Sequence, residues 1–98
     1  MLKNFKTFQL SVQFYHQCQA LHLKHHLKDQ LVRASSSVVL NVAEGNAKAS
    51  LKDKKMFFNI AYASLKECEA ILYLSQKPPQ ALLLHADHIG GCLYKLMH

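Results

Sequence analysis

Four lysines crowd one short stretch, Lys48, Lys52, Lys54 and Lys55. Ammonium groups neutralise phosphate oxygens as point charges, and they position a nucleic acid without reading its bases. The stretch enters a segment patterned as a helix start, where the macrodipole is already positive. Each lysine there costs a few tenths of a kcal/mol unless an anion answers it. A single lysine of this kind is commonly a solvated side chain; as a group they point to anion binding. Upstream, Met1 to Lys28 contains no acidic residue, and Lys24 and Lys28 flank His25 and His26. The candidate nucleic-acid surface is therefore Lys24, Lys28, Lys48, Lys52, Lys54 and Lys55. No aromatic residue interleaves the lysine run, so backbone contact with little base readout is the expectation.

A second constellation centres on Arg33, the only arginine among twelve basic residues. Its planar fork suits a bidentate carboxylate, and the spacing of Arg33, Ser37 and Glu44 places them along one side of a helix. Arg33, Asn41, Glu44, Ser64 and Glu67 are read as a structural polar network, Arg33 reaching Glu44 or Glu67 from a buried position. A phosphate or ligand site is the competing reading. His22, His25, His26, His85 and His88 could approach a metal, but Cys or carboxylate co-ligands are missing beside them, so no metal site is assigned. Glu67 and Glu69 lie two apart on a helical pattern and diverge, which excludes a catalytic carboxylate pair. GxSxG, HExxH and phosphate-cradling glycine loops are absent, so neither an enzyme nor a cofactor is expected. Cys18, Cys68 and Cys92 are odd in number, far apart and on apolar stripes, as buried thiols of a reducing compartment are.

The elements that must position these groups are helices. Glycine and proline are confined to Gly45, Pro78-Pro79 and Gly90-Gly91, which leaves long unbroken segments. Phe5, Phe8, Val12, Tyr15 and Gln19/Leu23 recur at helical spacing, predicting a first helix over about 3–22. Leu31, Ala34, Val38 and Val42 mark a second, from near Leu27 to Gly45, where a left-handed residue would close it. Ser50 followed by Asp53 approximates a capping box for a third helix reaching about Ser75. Pro79 suits the first turn of a fourth, with Leu82, Ala86, Ile89, Leu93 and Leu96 inward. Gly90-Gly91 inside that helix costs about 1 kcal/mol per glycine, which predicts tight helix contact there. Links of a few residues favour an all-α, antiparallel up-down-up-down four-helix bundle.

At 98 residues the chain is expected to form one domain over 1–98, large enough for a core but with a thin margin. Tyr62, Tyr73, Leu74, Leu83 and Leu84 fall off the core stripes, leaving apolar surface for self-association. The formal charge is +6 and the pI about 9.4, a field that favours polyanions. No apolar run reaches the length of a membrane span, and the N-terminus lacks a signal-type apolar core. A cytoplasmic protein with no membrane role is expected.

Two linked segments carry a family resemblance. Asp29-Gln30-Leu31-Val32-Arg33-Ala34-Ser35-Ser36-Ser37, then Asn41-Val42-Ala43-Glu44-Gly45, resembles the DQL-x-RA-x-x-S…N-x-AEG pattern of four-helix proteins encoded in 23S ribosomal RNA intervening sequences. Phe57-Phe58-Asn59-Ile60-Ala61 with Ser64-Leu65-Lys66-Glu67-Cys68 is similar to that family's FF-x-IA-x-x-S-x-x-E segment. The resemblance implies a non-enzymatic bundle assembling into a ring, typically a pentamer. It also implies kinship with the accessory variability determinant of diversity-generating retroelements, which binds reverse transcriptase and nucleic acid. Asn46-Ala47-Lys48 departs from the arginine that often follows AEG, and Ala63 from the glycine usual before Ser64. Two functions compete: a nucleic-acid-binding ring, with RNA favoured, that serves a ribonucleoprotein or reverse transcriptase, and a protein-interaction scaffold whose charge serves solubility.

Overall fold

The computed structural model describes residues 1–98. A 3-10 turn, Leu2–Asn4, precedes four α-helices: α1 (Lys6–Ala20), α2 (His25–Ala47), α3 (Leu51–Leu74) and α4 (Gln80–Met97). No strand forms. The helices pack in cyclic order, α1 on α2, α2 on α3, α3 on α4 and α4 back on α1, with α2–α3 the most closely packed pair. The result is a four-helix bundle 41 Å long and about half as wide.

Side-chain pairings set the course of the chain. Ser37 meets Ser64 while Gly45 meets Phe58, so numbering rises along α2 as it falls along α3. Val12, Tyr15 and His16 face Ser36, Val39 and Leu40 in one groove. Tyr62 lies beside Tyr94 as Gly90 lies beside Leu65. These pairings are consistent with an up-down-up-down course.

Several sequence expectations change. α1 begins at Lys6 and ends at Ala20, because Phe5 and Leu21 are both extended. Its buried face is Thr7, Leu10, Ser11, Phe14 and Cys18, not Phe5, Phe8, Val12 and Tyr15. That is a rotation of about 100°, one residue's turn. Two apolar stripes compete on this helix. The buried one holds small polar residues because Ser11 Oγ donates to the Thr7 carbonyl at 2.7 Å and is thereby satisfied.

α2 runs past Gly45 to Ala47, and no glycine takes a positive φ. Gly45 is needed for space: a Cβ there would stand 2.6 Å from Phe58 Cε1. Gly90 and Gly91 are not explained by packing within the chain. A Cβ at Gly90 would make ordinary contact with Leu65 and Tyr62, and one at Gly91 would meet nothing. Pro79 is the N-cap of α4 rather than its first residue, and its carbonyl accepts from Leu82 and Leu83. Leu83 is buried and Tyr62 packs against the core; Tyr73, Leu74 and Leu84 stay exposed.

Candidate nucleic-acid interface

Phe58 fixes one end of the bundle. Its ring centroid lies 6.3 Å from that of Phe5, and Gly45 packs beneath it. The chain start, the end of α2 and the start of α3 therefore converge. That end, here the basic pole, carries Lys3, Lys6, Lys48, Lys52, Lys54 and Lys55, against which stand only Glu44 and Asp53. Local sequence explains the convergence. Ser50 is the N-cap of α3, its Oγ accepting from Asp53 N–H at 3.1 Å, so only three residues separate α2 from α3.

The lysines of the run have different surroundings. Lys54 reaches back across the link, Nζ donating to the Asn46 carbonyl at 3.0 Å and the Gly45 carbonyl at 3.4 Å. The negative end of α2 answers its charge, so the cost expected of a cation at the α3 start is offset there. Lys48 pairs with Glu44 at 3.5 Å and lies 5.0 Å over the Phe57 ring. Phe57 lies outside the run in sequence, and its ring face is covered by Lys48. Lys52 and Lys55 are exposed and form no ion pair. They are the lysines of the run most open to an anion. Lys3 and Lys6 were missed as site residues because only the Phe5–Phe58 contact brings them to this pole.

Lys24 and Lys28 do not join this surface. They sit at the opposite end, where the α1–α2 link meets Leu74, Ser75 and Gln76. Lys28 is also engaged, donating to the Leu21 carbonyl at 2.6 Å.

The Arg33-centred network takes a different form. Arg33 is exposed and pairs with no carboxylate, Glu44 pairs with Lys48, and Glu67 is exposed. A guanidinium keeps its hydration at no cost on an open helix face, so burial against a carboxylate brings it nothing. What spans α2 and α3 is an uncharged chain: Ser37 Oγ and Ser64 Oγ lie 2.8 Å apart, and Asn41 Nδ2 donates to the Ser37 carbonyl at 2.9 Å and to its hydroxyl at 3.1 Å. The histidines do not converge either; no three His, Cys, Asp or Glu side chains are grouped as metal ligands would be. All three cysteines are free thiols. Burial pushes the Cys18 thiol up to about 12, with Ser35 and Lys28 opposing, and burial likewise raises Cys68. No helix is long and apolar enough to cross a membrane.

An all-helical four-helix bundle with a lysine-rich pole is the class that fold and surface define. The family model of the 23S rRNA-intervening sequence protein matches residues 4–79, and the chain belongs to that family. The match spans α1 to α3 and the following link, while α4 lies beyond it. No curated protein and no solved structure matches the chain.

Proposed function

We propose that this chain is a non-enzymatic, nucleic-acid-binding protein that grips the phosphate backbone of RNA or DNA with its basic pole. The observation that carries this reading is the gathering of Lys3, Lys6, Lys48, Lys52, Lys54 and Lys55 at one end, with Lys52 and Lys55 exposed and unpaired. In the fuller form of the proposal, an antiparallel up-down-up-down bundle assembles into a ring, a pentamer by family resemblance. The ring serves a ribonucleoprotein or reverse transcriptase in the cytoplasm. Several subunits of +6 each would then act on one polyanion by avidity.

Fluorescence anisotropy with structured RNA and duplex DNA between about 50 and 200 mM salt tests it. Log K should fall by about 0.7–0.9 per phosphate neutralised for each unit of log salt. Lys52→Gln/Lys55→Gln should weaken binding alike on every sequence and leave the fold intact. Absence of binding at about 50 mM salt, where such contacts are strongest, would reject the proposal.

A scaffold function is the second reading, favoured by one observation. Leu40, Tyr73, Leu74 and Leu84 are each more than 60% exposed, and Leu40 borders an apolar groove of about 320 Å3 with Val12 and Tyr15. Light scattering that reports a monomer at micromolar concentration would remove the ring from both readings.

A further inference from the structure

Gly91 weakens α4, and nothing within the chain requires it. Glycine inside a helix is unfavourable relative to alanine, and a Cβ at Gly91 would meet nothing within 4 Å. It shares the outer stripe of α4 with Leu84, Asp87 and Lys95, which follow one another at helical spacings of three and four. Leu84 is 69% exposed, and Asp87 forms no ion pair. Bare backbone beside a protruding leucine permits close approach by another helix.

A matching surface lies on α1 and α2. Val12, Tyr15, Ser36, Val39 and Leu40 line an apolar groove of about 320 Å3, with His16 at its side. Arg33 stands on the same stripe of α2 as Ser36 and Leu40, and its guanidinium is exposed and unpaired. Asp29 lies one turn before it and keeps 60% of its side chain exposed beside His25. The charges of the two stripes are complementary. Laid antiparallel on α2, α4 brings Asp87 to Arg33, Leu84 into the groove at Ser36 and Leu40, and Lys95 toward Asp29. A parallel course that pairs Arg33 with Asp87 leaves Leu84 outside the groove and sets Lys95 beside the neutral Asn41. Within one chain α4 packs on α1 and α3, so its outer stripe cannot reach its own groove. Another molecule must supply it.

We infer that the α1–α2 groove receives the outer stripe of α4 from a second copy of this chain, with Leu84 as the anchor and Arg33–Asp87 as the ion pair across the contact. Groove and stripe are different surfaces, so the contact is head-to-tail, the kind that generates a ring when its rotation closes. This contact rests on the self-association in the proposed function and is independent of nucleic-acid binding.

Sedimentation velocity at micromolar concentration tests it. The wild-type chain should assemble, and Arg33→Asp, Leu84→Ser and Gly91→Gln should each weaken assembly by about tenfold or more. Circular dichroism of the three should match the wild type, because all three positions are exposed and the space over Gly91 is open. Arg33→Asp/Asp87→Arg, which exchanges the two charges, should regain the assembly that Arg33→Asp alone loses. Tyr73→Ser, at an exposed residue outside both surfaces, should leave assembly unchanged. Assembly that survives all three single substitutions would overturn this interface and leave the ring standing. A monomeric wild type would overturn the interface and the ring together.

Discussion

Arg33 shows how far a residue's type can mislead about its setting. A lone arginine on a helix of small and apolar residues suggests a buried fork, yet it stands in solvent without a carboxylate. Arg33→Ala should therefore change stability by no more than about 0.5 kcal/mol in urea unfolding. Gly45 is the reverse case, a residue whose small size the core requires. Gly45→Ala drives a methyl into the buried Phe58 ring and should cost about 1–3 kcal/mol by the same measurement. The buried thiols make a third residue-scale prediction. Cys18 is raised from 9.0 to about 12, so between those values the unfolded chain loses a proton that the folded chain keeps. Stability is thus full below about pH 9 and falls as pH rises toward about 12. Cys18→Ala should remove part of that alkaline loss in melts taken across the range. Native Cys92, half-buried, should react with a thiol reagent at pH 8 before Cys18 or Cys68 does.

Between elements, the side chain that matters most is Lys54. α2 has no basic residue in its last turn, and Lys54 supplies one from the next helix through the Asn46 and Gly45 carbonyls. Lys54→Gln should lower stability by about 0.3–1 kcal/mol, while the exposed Lys55→Gln should be neutral or slightly stabilising. Thermal melts of the two single variants check the contrast. The number of helices, the Ser50 start of α3 and the Pro78-Pro79 break were legible because caps and breakers act within a few residues. The buried face of α1 was not, since Val12 and Tyr15 compete with Phe14 and Cys18 at the same period and packing against both α2 and α4 decides between them. Phe14 meets the His85 ring edge-on at 5.8 Å, and Gln17 Oε1 lies 2.7 Å from His85 Nδ1. The candidate site was half legible for a similar reason. The lysine run is local, but its union with Lys3 and Lys6, and its separation from Lys24 and Lys28, follow from which helix ends share a pole.

Over the whole molecule, charge is sorted by position along the bundle. Six of the eleven lysines gather at the basic pole, Lys24, Lys28 and Lys77 lie at the other with His22, His25 and His26, and Glu67, Glu69 and Asp87 occupy the helices between. The cyclic packing order has a further consequence, for time rather than shape. Three of the four main helix interfaces join neighbours in sequence, and only α1 against α4 closes across the chain. Pairing of neighbouring helices, α4 on α3 included, therefore needs only short-loop closures, which are fast, whereas the α1–α4 seam must wait for a loop of most of the chain. Gln17 and His85 mark that seam, 68 residues apart. In stopped-flow unfolding and refolding, Gln17→Ala should leave the refolding rate nearly unchanged and speed unfolding, the signature of a contact made after the barrier. Ser64→Ala, inside the α2–α3 interface, should instead slow refolding. The seam between the first and last helices would then be the last to close and the first to open.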